Sequence, residues 1–139
     1  MKRAFVADAS VAIAWVHPGQ ATAESDTWLD GLAAGDSLVV PALWPLEVAN
    51  ALIVLRRRRK LTADESRAAI EMIRQLPATV DQEAGSVAFT EFVGLASELG
   101  LTVYDAVYLE LARRRQLPLA THDARMRRVA AHAGVSLWP

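Results

Sequence analysis

The chain has 139 residues, of which 53% are hydrophobic and none is cysteine, and its formal net charge is −1. These values are typical of one globular domain, here expected to span 1–139, and they exclude disulfides and thiolate metal sites. No apolar stretch reaches the roughly 20 residues of a membrane-spanning helix. Asp8 and Ser10 interrupt the N-terminal run that imitates a signal peptide. We therefore expect a cytoplasmic protein.

Short apolar segments alternate with longer segments of helical periodicity along the chain. Strands are predicted at 4–8, 37–41, 76–80 and 117–121, with a further edge strand at 135–139. Helices are predicted directly after the first strand and at 23–34, 43–60, 62–75, 83–99 and 105–116. The strands lack strict polar alternation, as is usual for parallel strands covered on both faces. The pattern predicts an α/β fold, a three-layer sandwich whose central, mainly parallel sheet has four or five strands.

Four acidic residues occur where strands end or helices begin. Asp8 follows the first strand, Glu47 lies near the start of the helix after the second, Asp105 begins a helix, and Asp123 follows the strand at 117–121. In a parallel α/β sheet, strand ends and the starts of the following helices share one edge. We therefore expect the four carboxylates to converge there.

Each acid also has a structural interpretation. Aspartate is a preferred helix N-cap, so Asp8, Asp105 and Asp123 are equally well explained as caps. Glu47 is harder to explain in this way, because its helix is apolar and offers no basic residue one turn away. A buried carboxylate without a partner is costly. If Pro45 marked a later start of the helix, however, Glu47 would also be a cap.

Converging carboxylates repel one another unless a cation lies among them. The two lysines, Lys2 and Lys60, do not end a strand, so a bound divalent metal is expected. With oxygen ligands only, Mg²⁺ or Mn²⁺ is favoured. Ser10, Thr121 and Asn50 are candidates for orienting a carboxylate or a water, although Ser10 is also a possible helix N-cap.

The segments "VADAS", "PLEVANAL", "TVYDAVYLELA" and "LATHD" follow one another along the chain. In this order they resemble PIN-domain ribonucleases, and most closely the VapC toxins of type II toxin–antitoxin pairs. The resemblance spans essentially the whole chain, and "YDAVYLELA" ahead of "THD" is its most specific part. It implies a PIN-like fold and assigns the family's acidic quartet, accessory hydroxyl and asparagine to Asp8, Glu47, Asp105, Asp123, Thr121 and Asn50.

The resemblance further implies a Mg²⁺- or Mn²⁺-dependent endoribonuclease, a homodimer, and a cognate VapB-type antitoxin whose C-terminal segment occupies the active-site groove. The expected reaction is hydrolysis by metal-activated water, which leaves a 5′-phosphate and a 3′-hydroxyl. Asp8 and Asp105 are expected to bind the metal directly. Asp123 is expected to hold a second metal or the attacking water, and Glu47 to complete the first metal site or act through water.

Eleven of the fifteen basic residues fall in three clusters, at 56–60, at 113–115 and at Arg125, Arg127 and Arg128. The run at 56–60 is interpreted as a solvated helix C-terminus, which positive charge stabilises. The three arginines that follow Asp123 are the candidates for binding RNA phosphates. Two alternatives stay open, a housekeeping RNA-processing PIN nuclease and a PIN-like scaffold that binds RNA or protein without cutting.

Overall fold

Four parallel strands form the centre of the computed structural model, which describes residues 2–139. They are β1 (Ala4–Ala7), β2 (Ser37–Pro41), β3 (Ala78–Asp81) and β4 (Leu119–Ala120), in the spatial order β3-β2-β1-β4. The predicted α/β fold with a parallel sheet flanked by helices is confirmed. The two inner strands are buried beyond their first residues, which explains their continuous apolar runs.

The predicted fifth strand at 135–139 is reduced to a single bridge between Leu119 and Leu137. Its neighbour Trp138 nevertheless fixes this end of the chain. Its ring stacks on Phe5 with centroids 4.6 Å apart, and the Arg3 guanidinium lies 4.3 Å from the ring centroid. Aromatic stacking and burial therefore hold a segment that contributes little to the sheet.

Eight α-helices surround the sheet in the described residues. They are α1 (Ala9–Val16), α2 (Ala23–Ala33), α3 (Leu43–Arg57), α4 (Ala63–Arg74), α5 (Ala84–Val87), α6 (Val93–Leu99), α7 (Val103–Arg115) and α8 (Ala124–Val129). A capping box formed by Thr62 and Glu65 begins α4. Across residues 2–139 no single helix has the length and apolar character needed to cross a membrane. One pair bent by 108°, Ala84–Leu99 with Val103–Arg115, meets that criterion jointly, by length and composition only.

Three predicted helix boundaries are wrong. The helix predicted at 83–99 is divided into α5, a π-helical segment (Ala88–Phe92) and α6. The stretch 83–99 contains two glycines and several β-branched residues, which are poor helix formers, and the Thr90 hydroxyl donates to the Val87 carbonyl. The helix predicted at 43–60 ends at Arg57, since Arg59 adopts a left-handed backbone (φ 57°). The helix predicted at 105–116 begins two residues earlier, at Val103.

Helix α7 packs against β1 and β2 and is buried from Ala106 to Ala112. Near its C-terminus Arg114 forms ion pairs with three acids: Asp81 (2.8 Å), Glu83 (2.9 Å) and Glu110 (2.7 Å). Arg115 also pairs with Asp81, at 3.1 Å. The hydrogen bonds from Arg114, supported by Arg115, lower the pKa of Asp81 to about 2 despite its burial. This cluster, which the sequence did not predict, joins the end of β3 to α7.

Candidate active site

Asp8 follows β1 directly and begins the turn into α1. Its backbone is extended (φ −82°, ψ 175°), and its carboxylate accepts a hydrogen bond from Ser10 N at 3.1 Å, as an N-cap does. The hydroxyls of Ser10 and Thr121 also donate to it, one to each oxygen. Asp8 is only 8% exposed. It is therefore a helix cap, but its burial and its two hydroxyl donors exceed what capping requires.

Thr121 links the loop after β4 to the loop after β1. Its fully buried hydroxyl donates to Asp8 and accepts a hydrogen bond from Asp123 N at 3.0 Å. The backbone N–H of His122 also lies 3.4 Å from the Ser10 hydroxyl oxygen. Because β1 and β4 are adjacent parallel strands, residues far apart in the chain meet at their carboxyl ends.

Asp123 is the N-cap of α8. One of its carboxylate oxygens accepts hydrogen bonds from Arg125 N (2.8 Å) and Met126 N (3.1 Å). The other oxygen receives no hydrogen bond from the described residues, and the side chain is exposed. The His122 ring instead stacks on Trp28, with centroids 5.2 Å apart. Asp123 thus caps a helix and still presents one oxygen to solvent near Asp8.

Glu47 is the fifth residue of α3, which begins at Leu43. The possibility that Pro45 marks a later start, with Glu47 as a cap, is wrong. Glu47 is half-buried, and its carboxylate accepts a hydrogen bond from the Tyr108 hydroxyl. Its carboxylate makes no other hydrogen bond or ion pair with residues 2–139. Glu47 therefore has no structural role that a helix end explains.

Asp105 is the third residue of α7, not its first. The cap is Thr102, whose hydroxyl accepts a hydrogen bond from Asp105 N at 3.1 Å, so the Asp105 carboxylate is not needed for capping. That carboxylate is partly exposed and accepts no hydrogen bond from the residues described. Tyr108 lies three residues further along the same helix. This spacing, visible in the sequence, is the signal that would have identified Tyr108 as a neighbour of the acids.

The four carboxylates influence one another electrostatically. Burial raises the pKa of Asp8, and the charge of Asp123 raises it further, against the opposing hydrogen bonds from the two hydroxyls. Burial also raises the pKa of Glu47; the charges of Asp105 and Asp8 add to this effect, and the hydrogen bond from the Tyr108 hydroxyl opposes it. The structure thus places Asp8 near Asp123, and Glu47 near Asp105 and Asp8.

Between residues 2 and 139, no lysine, arginine or histidine forms an ion pair with any of these four acids. The contrast with the opposite end of α7 is clear, because there Arg114 and Arg115 neutralise Asp81. One acidic cluster therefore has its counter-charge within the protein, and the other does not. Clustered, partly buried carboxylates without a basic partner favour a cation taken from solution.

The chemistry of these donors fits Mg²⁺ or Mn²⁺, since all of them are oxygens. In the described part of the chain, no three acidic or histidine side chains are close enough to chelate one ion together. That geometry agrees with the habit of Mg²⁺, which keeps several waters and binds only one or two carboxylates directly. The residues present therefore suit a hydrated divalent ion and not a dehydrated cage.

We expect the metal-free wild-type protein to gain stability relative to an Asp8→Asn variant as the pH falls from neutral. A carboxyl group whose pKa is higher in the folded state destabilises the fold when ionised, so protonation removes that cost. The gain begins as the pH falls through the raised pKa of Asp8 and is complete below its ordinary value of 3.8. Urea unfolding in EDTA at a series of pH values measures it. A stability difference independent of pH would contradict this assignment.

The remaining predicted residues are Asn50, Arg125, Arg127 and Arg128. Asn50 is exposed and makes no side-chain hydrogen bond within the described residues, so its support of Glu47 stays a prediction. Arg127 donates to the Thr121 carbonyl at 2.8 Å and lies 3.6 Å from the Glu24 carboxylate. Arg127 therefore stabilises the loop that carries Thr121. Arg125 and Arg128 are exposed.

Two grooves border α3. The smaller, of about 320 Å³, begins at Ser10 and runs between α1 and α3 to Arg58. Arg58, in the basic run at 56–60, lines the same groove as Ser10, and none of the four acids lines that groove. The larger, of about 480 Å³, lies between α3 and α4, and none of the four acids lines it.

Comparison with known proteins places this fold among characterised structures. The chain resembles the crystal structure of PAE2754 from Pyrobaculum aerophilum, with 23% identity and a TM-score of 0.65 over 96% of this chain and 90% of that one. It also resembles FitAcB from Neisseria gonorrhoeae, with 17% identity and a TM-score of 0.66 over 97% and 96% of the two chains. At these identities the likeness concerns the fold alone.

A search of curated proteins finds no match to the chain. The family model described as "PIN domain", in contrast, matches residues 5–132. That range contains all four acids and the carboxyl ends of β1 and β4, beside which Asp8 lies. Because the match extends over nearly the whole sequence, the chain belongs to the PIN domain family.

Proposed function

We propose that this protein is a Mg²⁺- or Mn²⁺-dependent endoribonuclease that acts as the toxin of a VapBC-type toxin–antitoxin pair. PIN domains are generally nucleases, and the family match supports this reaction class. The observation that carries the proposal is that Asp8 lies near Asp123, and Glu47 near Asp105 and Asp8, without a basic partner for any of them among residues 2–139. A non-catalytic scaffold has no need for clustered carboxylates, which destabilise the fold.

In this proposal Asp8 and Asp105 would hold the divalent ion directly. Asp123 would hold a second ion or the attacking water, and Glu47 would complete the first metal site or act through water. The bound ion supplies water activation and charge neutralisation at the scissile phosphate. The hydroxyls of Ser10 and Thr121 fix both oxygens of Asp8, so this carboxylate is oriented before substrate binds. Such preorganisation avoids the reorganisation that a mobile carboxylate would require during the reaction.

RNA would approach through surfaces that carry free arginines. Arg125 and Arg128 are exposed on α8, next to Asp123, and Arg58 lies at the end of the groove that begins at Ser10. Arginine binds phosphate through several parallel hydrogen bonds, and each phosphate contact adds to the salt dependence of binding. Arg127 contributes indirectly, by holding the Thr121 carbonyl.

We expect RNA cleavage by the purified protein to stop in EDTA and to return when Mg²⁺ or Mn²⁺ is added in excess. Ca²⁺ is a matched control, because it is also an oxygen-binding divalent ion but is larger and less strictly octahedral. Hydrolysis by attack of water leaves products with a 5′-phosphate and a 3′-hydroxyl, which end-labelling of the fragments identifies. Cleavage that persists in thoroughly chelated protein, or a 2′,3′-cyclic phosphate product, would refute the proposal.

The toxin assignment adds partners and a location. We propose a cognate VapB-type antitoxin whose C-terminal segment covers the active-site groove, a homodimeric toxin and action in the cytoplasm. The support is the sequence resemblance to VapC toxins, together with the family match across the chain. Growth arrest on expression is the readout that separates a toxin from a housekeeping nuclease.

A further inference from the structure

Glu47 has the longest side chain of the four acids, because the other three are aspartates. A glutamate side chain has three rotatable bonds, one more than aspartate, so its carboxylate has more positions available to it. Its one hydrogen bond from the described residues comes from the Tyr108 hydroxyl. The orientation of Glu47 therefore depends on Tyr108.

Tyr108 is itself held rigidly. Its side chain is 2% exposed and belongs to the hydrophobic core that α7 forms with the sheet. Asp105 lies three residues earlier on α7, so the two side chains lie on neighbouring positions of the helix surface. One buried helix thus carries both an acid of the cluster and the hydroxyl that orients another acid on α3.

The kind of donor matters as much as its position. Arg114 binds Asp81 with a positive charge, and this cancels the attraction of that acid for a cation. A tyrosine hydroxyl donates a hydrogen bond without adding charge. Tyr108 therefore leaves the charge of the Glu47 carboxylate uncompensated, and the second carboxylate oxygen receives no hydrogen bond within residues 2–139.

We propose that Tyr108 is a positioning residue that fixes one oxygen of Glu47 through an uncharged hydrogen bond and leaves the other oxygen available to a divalent ion. The inference rests on the proposed metal-dependent function. This role goes beyond packing, which is the usual reason for an aromatic side chain to be buried in a core. Groups that orient metal ligands typically affect metal affinity by about 10–100-fold.

The test is calorimetric titration of Mn²⁺ into RNA-free protein. We expect Tyr108→Phe, which keeps the buried ring and removes only the hydroxyl, to weaken Mn²⁺ binding by about tenfold. Tyr104→Phe is the matched control, because Tyr104 lies on the same helix, is 62% exposed and makes no side-chain hydrogen bond to the described residues. It should bind Mn²⁺ as the wild type does.

A double-mutant cycle with Glu47→Gln separates positioning from a general structural effect. If Tyr108 acts through Glu47, Tyr108→Phe should change Mn²⁺ affinity by less than about twofold in the Glu47→Gln background. An equal loss in both backgrounds, or wild-type affinity in Tyr108→Phe, would overturn the inference and leave the proposed function intact. If the wild type itself bound no Mn²⁺, the proposed function would fall, and the inference with it.

A second variant tests the same contact from the side of the acid if Tyr108→Phe does not fold. Glu47→Asp keeps the charge but shortens the side chain by one methylene, so the carboxylate no longer reaches the Tyr108 hydroxyl. We expect a comparable loss of Mn²⁺ affinity. Wild-type affinity in Glu47→Asp would show that the hydrogen bond is unnecessary and would overturn the inference.

Discussion

Replacement of Asp8 by asparagine is expected to reduce RNA cleavage by more than about a hundredfold, the upper end of the cost of losing a group that only orients a metal ligand. Asparagine preserves the size of the side chain and one acceptor oxygen, and it removes the charge that would bind the cation. The Ser10 and Thr121 hydroxyls fix the Asp8 carboxylate, so no other acid can easily take its place. Cleavage of labelled RNA at saturating Mg²⁺ measures the loss.

Asp30→Asn is the matched control, because Asp30 is an exposed acid on α2 whose side chain forms no hydrogen bond or ion pair with the described residues. It should cleave RNA at the wild-type rate. Expression in cells gives a second readout, since Asp8→Asn should relieve growth arrest if cleavage causes it. A folded Asp8→Asn protein that still arrests growth would favour the non-catalytic scaffold, in which binding alone is responsible.

Replacement of Arg114 by methionine is expected to destabilise the protein by about 3 kcal/mol, because it leaves buried acids without their partner. Asp81 and Glu110 are 3% and 4% exposed, and Arg114 bonds to both. Arg115 would continue to pair with Asp81, which keeps the cost at the lower end for a broken buried ion pair. Thermal unfolding should show a midpoint lower by about 10 °C.

Arg113→Met is the control for the loss of one arginine from the same run. Arg113 pairs with Glu91 at 3.7 Å, both side chains are well exposed, and such pairs contribute less than about 1 kcal/mol. The pH dependence gives an independent check. Asp81 has a lowered pKa of about 2, so its contribution is complete above 3.8 and is lost as the pH falls towards 2. The difference between wild type and Arg114→Met should shrink over that range, and a constant difference would exclude Asp81 as the cause.

The sequence by itself determined the fold class and the edge of the sheet at which the acids meet. Continuous apolar runs such as 37–41 can only be buried on both faces, and alternation with helices then requires parallel strands. Chain direction alone places the residues after those strands, including Asp8 and Asp123, at one edge. The capping box at Thr62 was equally readable, because it depends on residues only three apart.

Only the tertiary structure decided which partner each acid has. Tyr108 meets Glu47 across 61 positions of the chain, and Arg114 meets Asp81 across 33. Such contacts depend on how helices rotate and tilt against the sheet, and local periodicity does not encode either quantity. The start of α7 is different, because the local Thr102 cap sets it and thereby leaves Asp105 as an acid with no capping role. The difference between a neutralised cluster and one open to a cation is therefore a property of the packed molecule, because charge compensation acts through space and not along the sequence.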